Sequence, residues 1–166
     1  MQRANAARRL GDRPRALELG LEAVALGSES GDVSFDAHYN VACELRALGV
    51  AEPGQVAEAF AQAARVAAAQ GEAGGLVDEK RGACEFNLGK ALREAGDREQ
   101  AGLALERALD FLPDAADVWA EMGLVMAEMG QAEAALVCQR QMIRCQAAAA
   151  AAAAAAGEGE EAGAAR

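Results

Sequence analysis

The chain is poor in aromatic residues and in histidine. Aromatic residues make up 4% of its 166 residues, although hydrophobic residues make up 52%. Much of that hydrophobic content is alanine, and small apolar side chains suit closely packed helices better than a sheet sandwich. The composition therefore favours an all-α chain.

Basic residues are also scarce relative to acidic ones. Lys and Arg total 16 against 26 Asp and Glu, a formal net charge of −10. A general nucleic-acid or anionic-membrane surface needs a cationic face, so we expect neither partner. The bases are concentrated near the N-terminus, at Arg3, Arg8, Arg9, Arg13 and Arg15. The acidic remainder either steers a basic partner or is plain solvated surface, and the sequence leaves both open.

No long apolar run is present. A membrane span needs about 18 apolar residues without charge, and the alanine run near the C-terminus is too short and too weakly apolar. Residues 1–11 are Arg-rich and acid-poor, as in a fragment of a transit peptide. They also fit the end of a repeat helix, which we favour. We expect an intracellular, reducing compartment, with the cytoplasm favoured over an organelle.

Cysteine and histidine occur too sparsely for a zinc site. The four cysteines are Cys43, Cys84, Cys138 and Cys145. None forms a Cys-x-x-Cys pair, whereas a zinc site needs about four suitably spaced ligands. We expect buried, reduced thiols and no metal site.

Motifs of catalysis are missing as well. There is one histidine, and no nucleophile elbow, phosphate loop or paired metal motif occurs. The pair Gly74-Gly75 lacks the strand and helix context of a nucleotide loop. We therefore predict no enzyme activity, no catalytic residue and no cofactor.

What the chain does contain is an internal repeat. Glu85–Pro113 holds two amphipathic helical patterns that meet at Gly96-Asp97. A shift of 34 residues brings the pattern back, so that Leu88-Gly89 becomes Met122-Gly123 and Gly96 becomes Gly130. A period near 34 with two helices per unit is typical of tetratricopeptide repeats.

The chain resembles the tetratricopeptide repeat family over about residues 1–146. The matching positions are Trp119, Leu88-Gly89, Met122-Gly123, Leu92, Met126, Ala101, Ala135, Phe60, Ala63, Ala108 and Pro113. Departures are His38 and Glu85 at the bulky position of the first helix, Gln139 where Phe60 and Leu105 stand in earlier units, and a lengthened turn at Val50–Pro53. Gly20 holds that same second-helix position in the first unit.

The resemblance implies a right-handed superhelical solenoid of antiparallel helix pairs, with about three and a half repeats. We expect a repeat domain over 1–149, followed by an Ala-rich helix extension and an acidic disordered tail over 150–166. Its units are a partial repeat at 1–31 and full repeats at 35–70, 82–115 and 116–149. Because the chain begins inside a repeat, we expect a partner or a missing segment to cover its N-terminal face.

The residues at the helix ends predict where each helix starts and stops. Asp12 with Pro14, Asp32 or Ser34, Pro53, Asp78, Asp97 with Gln100, and Asp114 with Asp117 are predicted to open helices. Gly27–Asp32 is predicted to be a loop, Gly71–Gly75 to break a helix that runs to about Gln70, and Gly157–Arg166 to be disordered. The glycines Gly11, Gly49, Gly96 and Gly130 align as the residues that close each first helix.

In the family, first helices line a concave groove that binds partner segments. The resemblance places there Tyr39, Asn40, Arg46, Phe86, Asn87, Lys90 and Arg93. Asparagine can pair with the backbone of an extended peptide, an aromatic ring supplies contact area, and a base meets a carboxylate. We hypothesise that these residues bind a partner peptide or helix. The alternative is that the two asparagines only tie adjacent helices together.

The function implied is a non-catalytic protein-interaction module, a scaffold or assembly subunit of a multiprotein complex. An alternative is a co-chaperone adaptor for heat-shock chaperones. The family's clamp for chaperone tails needs Lys and Arg where this chain has Asp117 and Glu121, which disfavours that alternative.

Overall fold

The computed structural model describes residues 2–30, 34–70 and 75–164 of the chain. These residues form eight α-helices and no strand, which confirms the all-α prediction. The helices are α1 (Gln2–Arg9), α2 (Arg13–Ser30), α3 (Phe35–Leu48), α4 (Pro53–Gln70), α5 (Gly75–Glu94), α6 (Arg98–Phe111), α7 (Ala116–Glu128) and α8 (Ala132–Ala164).

The chain forms two compact units, the first ending at Phe111 and the second beginning at Leu112. In the first unit each helix packs against the next one along the chain, from α1 through α6. Its core is built around Phe60, Cys84 and Leu88. In the second unit α7 packs against α8 and buries Val118, Met122 and Val125. The continuous repeat domain over 1–149 stays a prediction.

Each first helix is closed by a glycine in the left-handed region, as the alignment predicted. The φ angles are 77° at Gly11, 62° at Gly49, 88° at Gly96 and 75° at Gly130. Other residues rarely adopt this conformation, because a Cβ atom clashes with the backbone there. These four positions therefore set the turn within each helix pair.

Three predicted N-caps are confirmed. The Asp12 Oδ1 atom accepts from the Arg15 amide at 3.1 Å, Ser34 Oγ from the Ala37 amide at 3.4 Å, and Asp97 Oδ1 from the Gln100 amide at 3.2 Å. Pro53 is the first residue of α4, and α6 ends two residues before Pro113, both as predicted. The alternative cap Asp32 lies outside the described residues.

Two predicted caps are wrong. Asp78 lies in the first turn of α5, because that helix begins at Gly75; an acid there faces the positive end of the helix dipole instead of capping an amide. The residue before α7 is Ala115, which offers no side-chain cap. The turn that leads into α7 is instead bonded by Trp119, whose Nε1 donates to the Pro113 carbonyl at 2.8 Å.

Two segments predicted to be non-helical need correction. The predicted loop at Gly27–Asp32 is helical as far as Ser30, where Ser28 Oγ donates to the Val24 carbonyl at 2.9 Å and leaves the helix intact. The helix α4 ends at Gln70, as predicted. Of the predicted break at Gly71–Gly75, residues 71–74 lie outside the described part, and Gly75 is the first residue of α5. The tail predicted to be disordered from Gly157 is helical to Ala164, because adding residues to an existing alanine helix avoids the cost of nucleation.

The predicted close approach of paired helices is confirmed at Gly89. A Cβ atom there would lie 2.7 Å from Leu105 Cγ and 3.3 Å from the Ala101 carbonyl oxygen. At Gly123 the nearest atom is Cys138 Cβ at 3.4 Å, an ordinary contact. The α5–α6 pair is therefore closer at this position than the α7–α8 pair.

Candidate functional site

A polar contact joins the first helices α1 and α3. Arg8 Nε donates to Glu44 Oε1 at 2.6 Å, and Arg8 Nη1 donates to Asn40 Oδ1 at 2.8 Å. Arg13 Nη1 lies 3.7 Å from the other Glu44 oxygen. Charge-assisted bonds of this geometry fix the position of one helix against the other.

The same contact recurs one repeat later, between α3 and α5. Arg46 Nη2 donates to Glu94 Oε1 at 2.6 Å, and Arg46 Nη1 donates to Asn87 Oδ1 at 3.4 Å. Arg8 and Arg46 each stand three residues before a closing glycine, and Asn40 and Asn87 each stand nine residues before one. We call these two repeated Arg–Asn contacts, with their glutamates, the polar ladder.

The side chain of Asn87 is bonded at both ends. Its Nδ2 donates to Tyr39 Oη at 3.2 Å and to the Ala83 carbonyl at 2.9 Å. The Tyr39 ring stacks on Phe35 at 5.6 Å between centroids and meets Phe60 edge-on at 5.9 Å. Burial raises the pKa of the Tyr39 hydroxyl. Tyr39 and Asn87 are thus held in the wall between α3 and α5.

Phe86 and Lys90 form a second small group on α5. Both are half-buried, and the Lys90 ammonium lies 5.3 Å from the centroid of the Phe86 ring. A cation over an aromatic face is attracted by the ring quadrupole, which keeps both side chains together. Arg93, one turn further along α5, is half-buried.

The structure therefore brings three of the seven predicted residues, Tyr39, Arg46 and Asn87, into one network between α3 and α5. Asn40 belongs to the separate contact with Arg8 on α1. Phe86 and Lys90 form the second group on the same helix as Asn87. The sequence reasoning missed Glu44, which is 3% exposed and has one carboxylate oxygen without a hydrogen bond. The sequence does contain a sign of it, because Glu44 is a charged residue at a repeat position where the later units have the apolar residues Ala91 and Val125.

A second surface, an apolar groove between α7 and α8, was also missed. It encloses about 660 Å³. Its lining includes Trp119, Leu124, Leu136 and Gln139. The sequence reasoning noted the polar Gln139 as a departure from the repeat pattern, but the open apolar surface around it was not predicted.

Solved structures with the same arrangement of helices are known. The crystal structure of MamA is 16% identical with a TM-score of 0.71, over 89% of this chain and 76% of that one. BtubC (BKLC) from P. vanneervenii is 19% identical with a TM-score of 0.72, over 87% of this chain and 61% of that one. A putative kinesin light chain from Podosopora anserina, with nearly identical TPR-like repeats, is 18% identical with a TM-score of 0.65, over 88% and 72%.

The fold is that of tetratricopeptide-like repeats. The predicted resemblance is thereby confirmed at the level of fold. No protein-family model matches the chain, and no curated protein matches it.

Across residues 2–30, 34–70 and 75–164, no group of three or more His, Cys, Asp or Glu side chains is placed to hold a metal ion. In the same residues no helix is long and apolar enough to cross a bilayer. All four cysteines are free; Cys84 and Cys138 are buried, and Cys43 and Cys145 are half-buried. Burial raises the pKa of the Cys84 thiol to about 12, so this thiol is protonated and unreactive at neutral pH.

Proposed function

We propose that the chain is a non-catalytic protein-interaction module, a scaffold or assembly subunit, that binds a partner peptide or helix on the surface of α3 and α5. The observation that carries the proposal is the polar ladder. It joins α1 to α3 and α3 to α5 through the same residue types, so the surface of these helices is fixed before a partner arrives. A preorganised surface loses less entropy on binding.

Within this surface the residues have different roles. The Asn40 and Asn87 amides are bonded to neighbouring helices, and they align the surface. The Arg46 charge is matched by Glu94. Phe86 and Lys90 offer an aromatic ring and a cation to a partner. Arg93 follows Lys90 by three residues on α5, and Tyr39 is bonded to Asn87, the residue next to Phe86. This arrangement suits a partner segment that carries an apolar side chain next to a carboxylate.

The test uses peptides selected by display on the intact protein. We expect Phe86→Ala and Lys90→Glu each to weaken the binding of a selected peptide about tenfold or more, as central binding residues do. Lys80→Glu is the matched control, because Lys80 is an exposed lysine on the same helix that pairs with Asp36 at 2.9 Å. Fluorescence polarisation measures the affinities, and circular dichroism verifies the fold.

One variant separates this proposal from a purely structural role of the ladder. The double variant Asn87→Ala with Lys90→Ala removes one ladder residue and the proposed contact residue together. If it keeps its helical fold and binds the selected peptides unchanged, the surface assigned here is wrong.

A further inference from the structure

The α7–α8 groove exposes more apolar side chain than the equivalent face of the α3–α4 pair. Leu124 is 50% and Leu136 57% exposed in the groove. In the α3–α4 pair that face is covered by α5, and Phe60 on its floor is fully buried. A contiguous exposed apolar surface marks an interaction site. Its occupant can be deduced from how the chain covers such faces elsewhere.

Two junctions in the first unit show the rule for covering a helix pair. At both junctions the residue that stands eight before the closing glycine of the incoming first helix is buried together with one fixed second-helix position of the receiving pair. Val41 lies against Gly20, where an added Cβ would be 2.9 Å from Val41 Cγ2. Leu88 shares one buried cluster with Phe60, and Cys84 Sγ donates to the Phe60 carbonyl at 3.5 Å.

The same two repeat positions can be identified on the two open faces of the chain. The receiving position in α8 is Gln139, and the incoming position in α1, eight residues before Gly11, is Arg3. Both are polar, whereas the described junctions pair apolar Val41 with Gly20 and Leu88 with Phe60. A guanidinium over a glutamine side chain can donate to its carbonyl oxygen. An α1 helix therefore suits a groove whose floor is Gln139.

The α1–α2 pair has an open face of its own around Arg3. A groove of about 390 Å³ is lined there by Arg3, Leu19, Glu22 and Leu26. Leu26 is 65% exposed. Arg8, which contacts α3 through Glu44, stands five residues after Arg3 and so projects from a different side of α1. The face around Arg3 is thus distinct from the face that meets α3.

The charges of the α1–α2 pair complement those of the α7–α8 pair, both between α1 and α7 and between α2 and α8. Among the described residues, α1 carries Arg3, Arg8 and Arg9 with no acid, and α7 carries three acids with no base. In the second helices the order is reversed: α2 has Arg13 and Arg15 before Glu18 and Glu22, and the part of α8 before its alanine run has Glu133 before Arg140 and Arg144.

We propose that the α7–α8 groove of one copy receives the α1–α2 pair of a second copy of this chain, with Arg3 over Gln139. The interface is heterologous, because unlike faces meet, and every copy carries both faces. Association then continues from copy to copy as the protein concentration rises.

Sedimentation velocity on the full chain and two blocked variants tests this proposal. Leu136→Glu blocks the groove, and Leu26→Glu blocks the α1–α2 face. We expect the unaltered chain to grow in mass with concentration and each variant alone to stay monomeric. An equimolar mixture of the two variants regains a dimer and nothing larger, since one intact groove meets one intact α1–α2 face. Val50→Glu is the matched control, because Val50 is 65% exposed in the turn before α4.

The proposed contact between Arg3 and Gln139 has its own test. Gln139→Arg should weaken self-association about tenfold, and Arg3→Glu combined with it should restore the affinity by reversing the pair. An unaltered chain that stays monomeric at hundreds of micromolar overturns the proposal. So does self-association that survives in either blocked variant, and so does a mixture that fails to form dimers.

Discussion

The α3–α4 and α7–α8 pairs follow one plan but differ in what covers them. In both pairs the turn between the two helices contains a glycine in the left-handed region, Gly49 in α3–α4 and Gly130 in α7–α8. At the same second-helix position, α4 holds the fully buried Phe60 and α8 holds the exposed Gln139. The repeat sequence thus determines how the two helices of a pair pack together, whereas a further helix determines whether the outer face of that pair is buried. Burial of that face is a property of the junction and not of the pair.

The largest expected effect comes from truncating the side chains at the two equivalent positions, Phe60 and Gln139. Phe60→Ala should lower the free energy of unfolding by about 3–5 kcal/mol, because it removes a large buried side chain and leaves a cavity. Gln139→Ala should change it by less than about 0.5 kcal/mol, as exposed substitutions do. Urea unfolding followed by circular dichroism measures both. Equal costs at the two positions would mean that α7–α8 is covered as α3–α4 is.

A smaller effect is expected from adding one methyl group to each close glycine. Gly89→Ala should destabilise the chain by about 1–3 kcal/mol, because the new Cβ would overlap Leu105. Gly123→Ala should instead stabilise it by up to about 1 kcal/mol, because the new Cβ would make only an ordinary contact with Cys138 Cβ at 3.4 Å and alanine is the better helix former. Thermal unfolding gives the sign of each change. A destabilising Gly123→Ala of similar size would show that α7 and α8 pack as closely as α5 and α6.

The smallest expected effect concerns the helix starts. α3 has a side-chain cap from Ser34, whereas α7 begins after Ala115, whose φ of −77° and ψ of 104° suit a capping residue. Ser34→Ala should cost about 1 kcal/mol, and Ala115→Ser should gain about 0.5–1 kcal/mol. The unfolding midpoints of the two variants should therefore shift in opposite directions. A shift in the same direction would contradict the cap assignments.

Features that depend on local backbone chemistry were predictable from the sequence. The closing glycines, the Asp12, Ser34 and Asp97 caps and the close approach at Gly89 each follow from what a single residue permits. The start of α5 at Gly75 was not predictable, because glycine and acidic residues read as a break when only neighbouring residues are considered. Helix starts depend on packing as well as on propensity.

The candidate surfaces were also predictable from the sequence only in part. The family resemblance assigned seven side chains to one first-helix surface, but it left open whether the asparagines bond to a partner or to neighbouring helices. That choice depends on distances between helices, such as the one from Arg46 to Asn87. The α7–α8 groove was missed for a related reason, because an exposed apolar stripe and a buried one have the same sequence period.

The most direct measurement of the difference between the two pairs uses Trp119. It is the single tryptophan of the chain and lines the α7–α8 groove, so its fluorescence reports on that surface. If α1–α2 of a second copy fills the groove, the emission should shift to shorter wavelength as the concentration rises, and Leu136→Glu should abolish the shift. An emission spectrum that is unchanged over the same concentrations, or a shift that persists in Leu136→Glu, would contradict an open groove that docks a second copy.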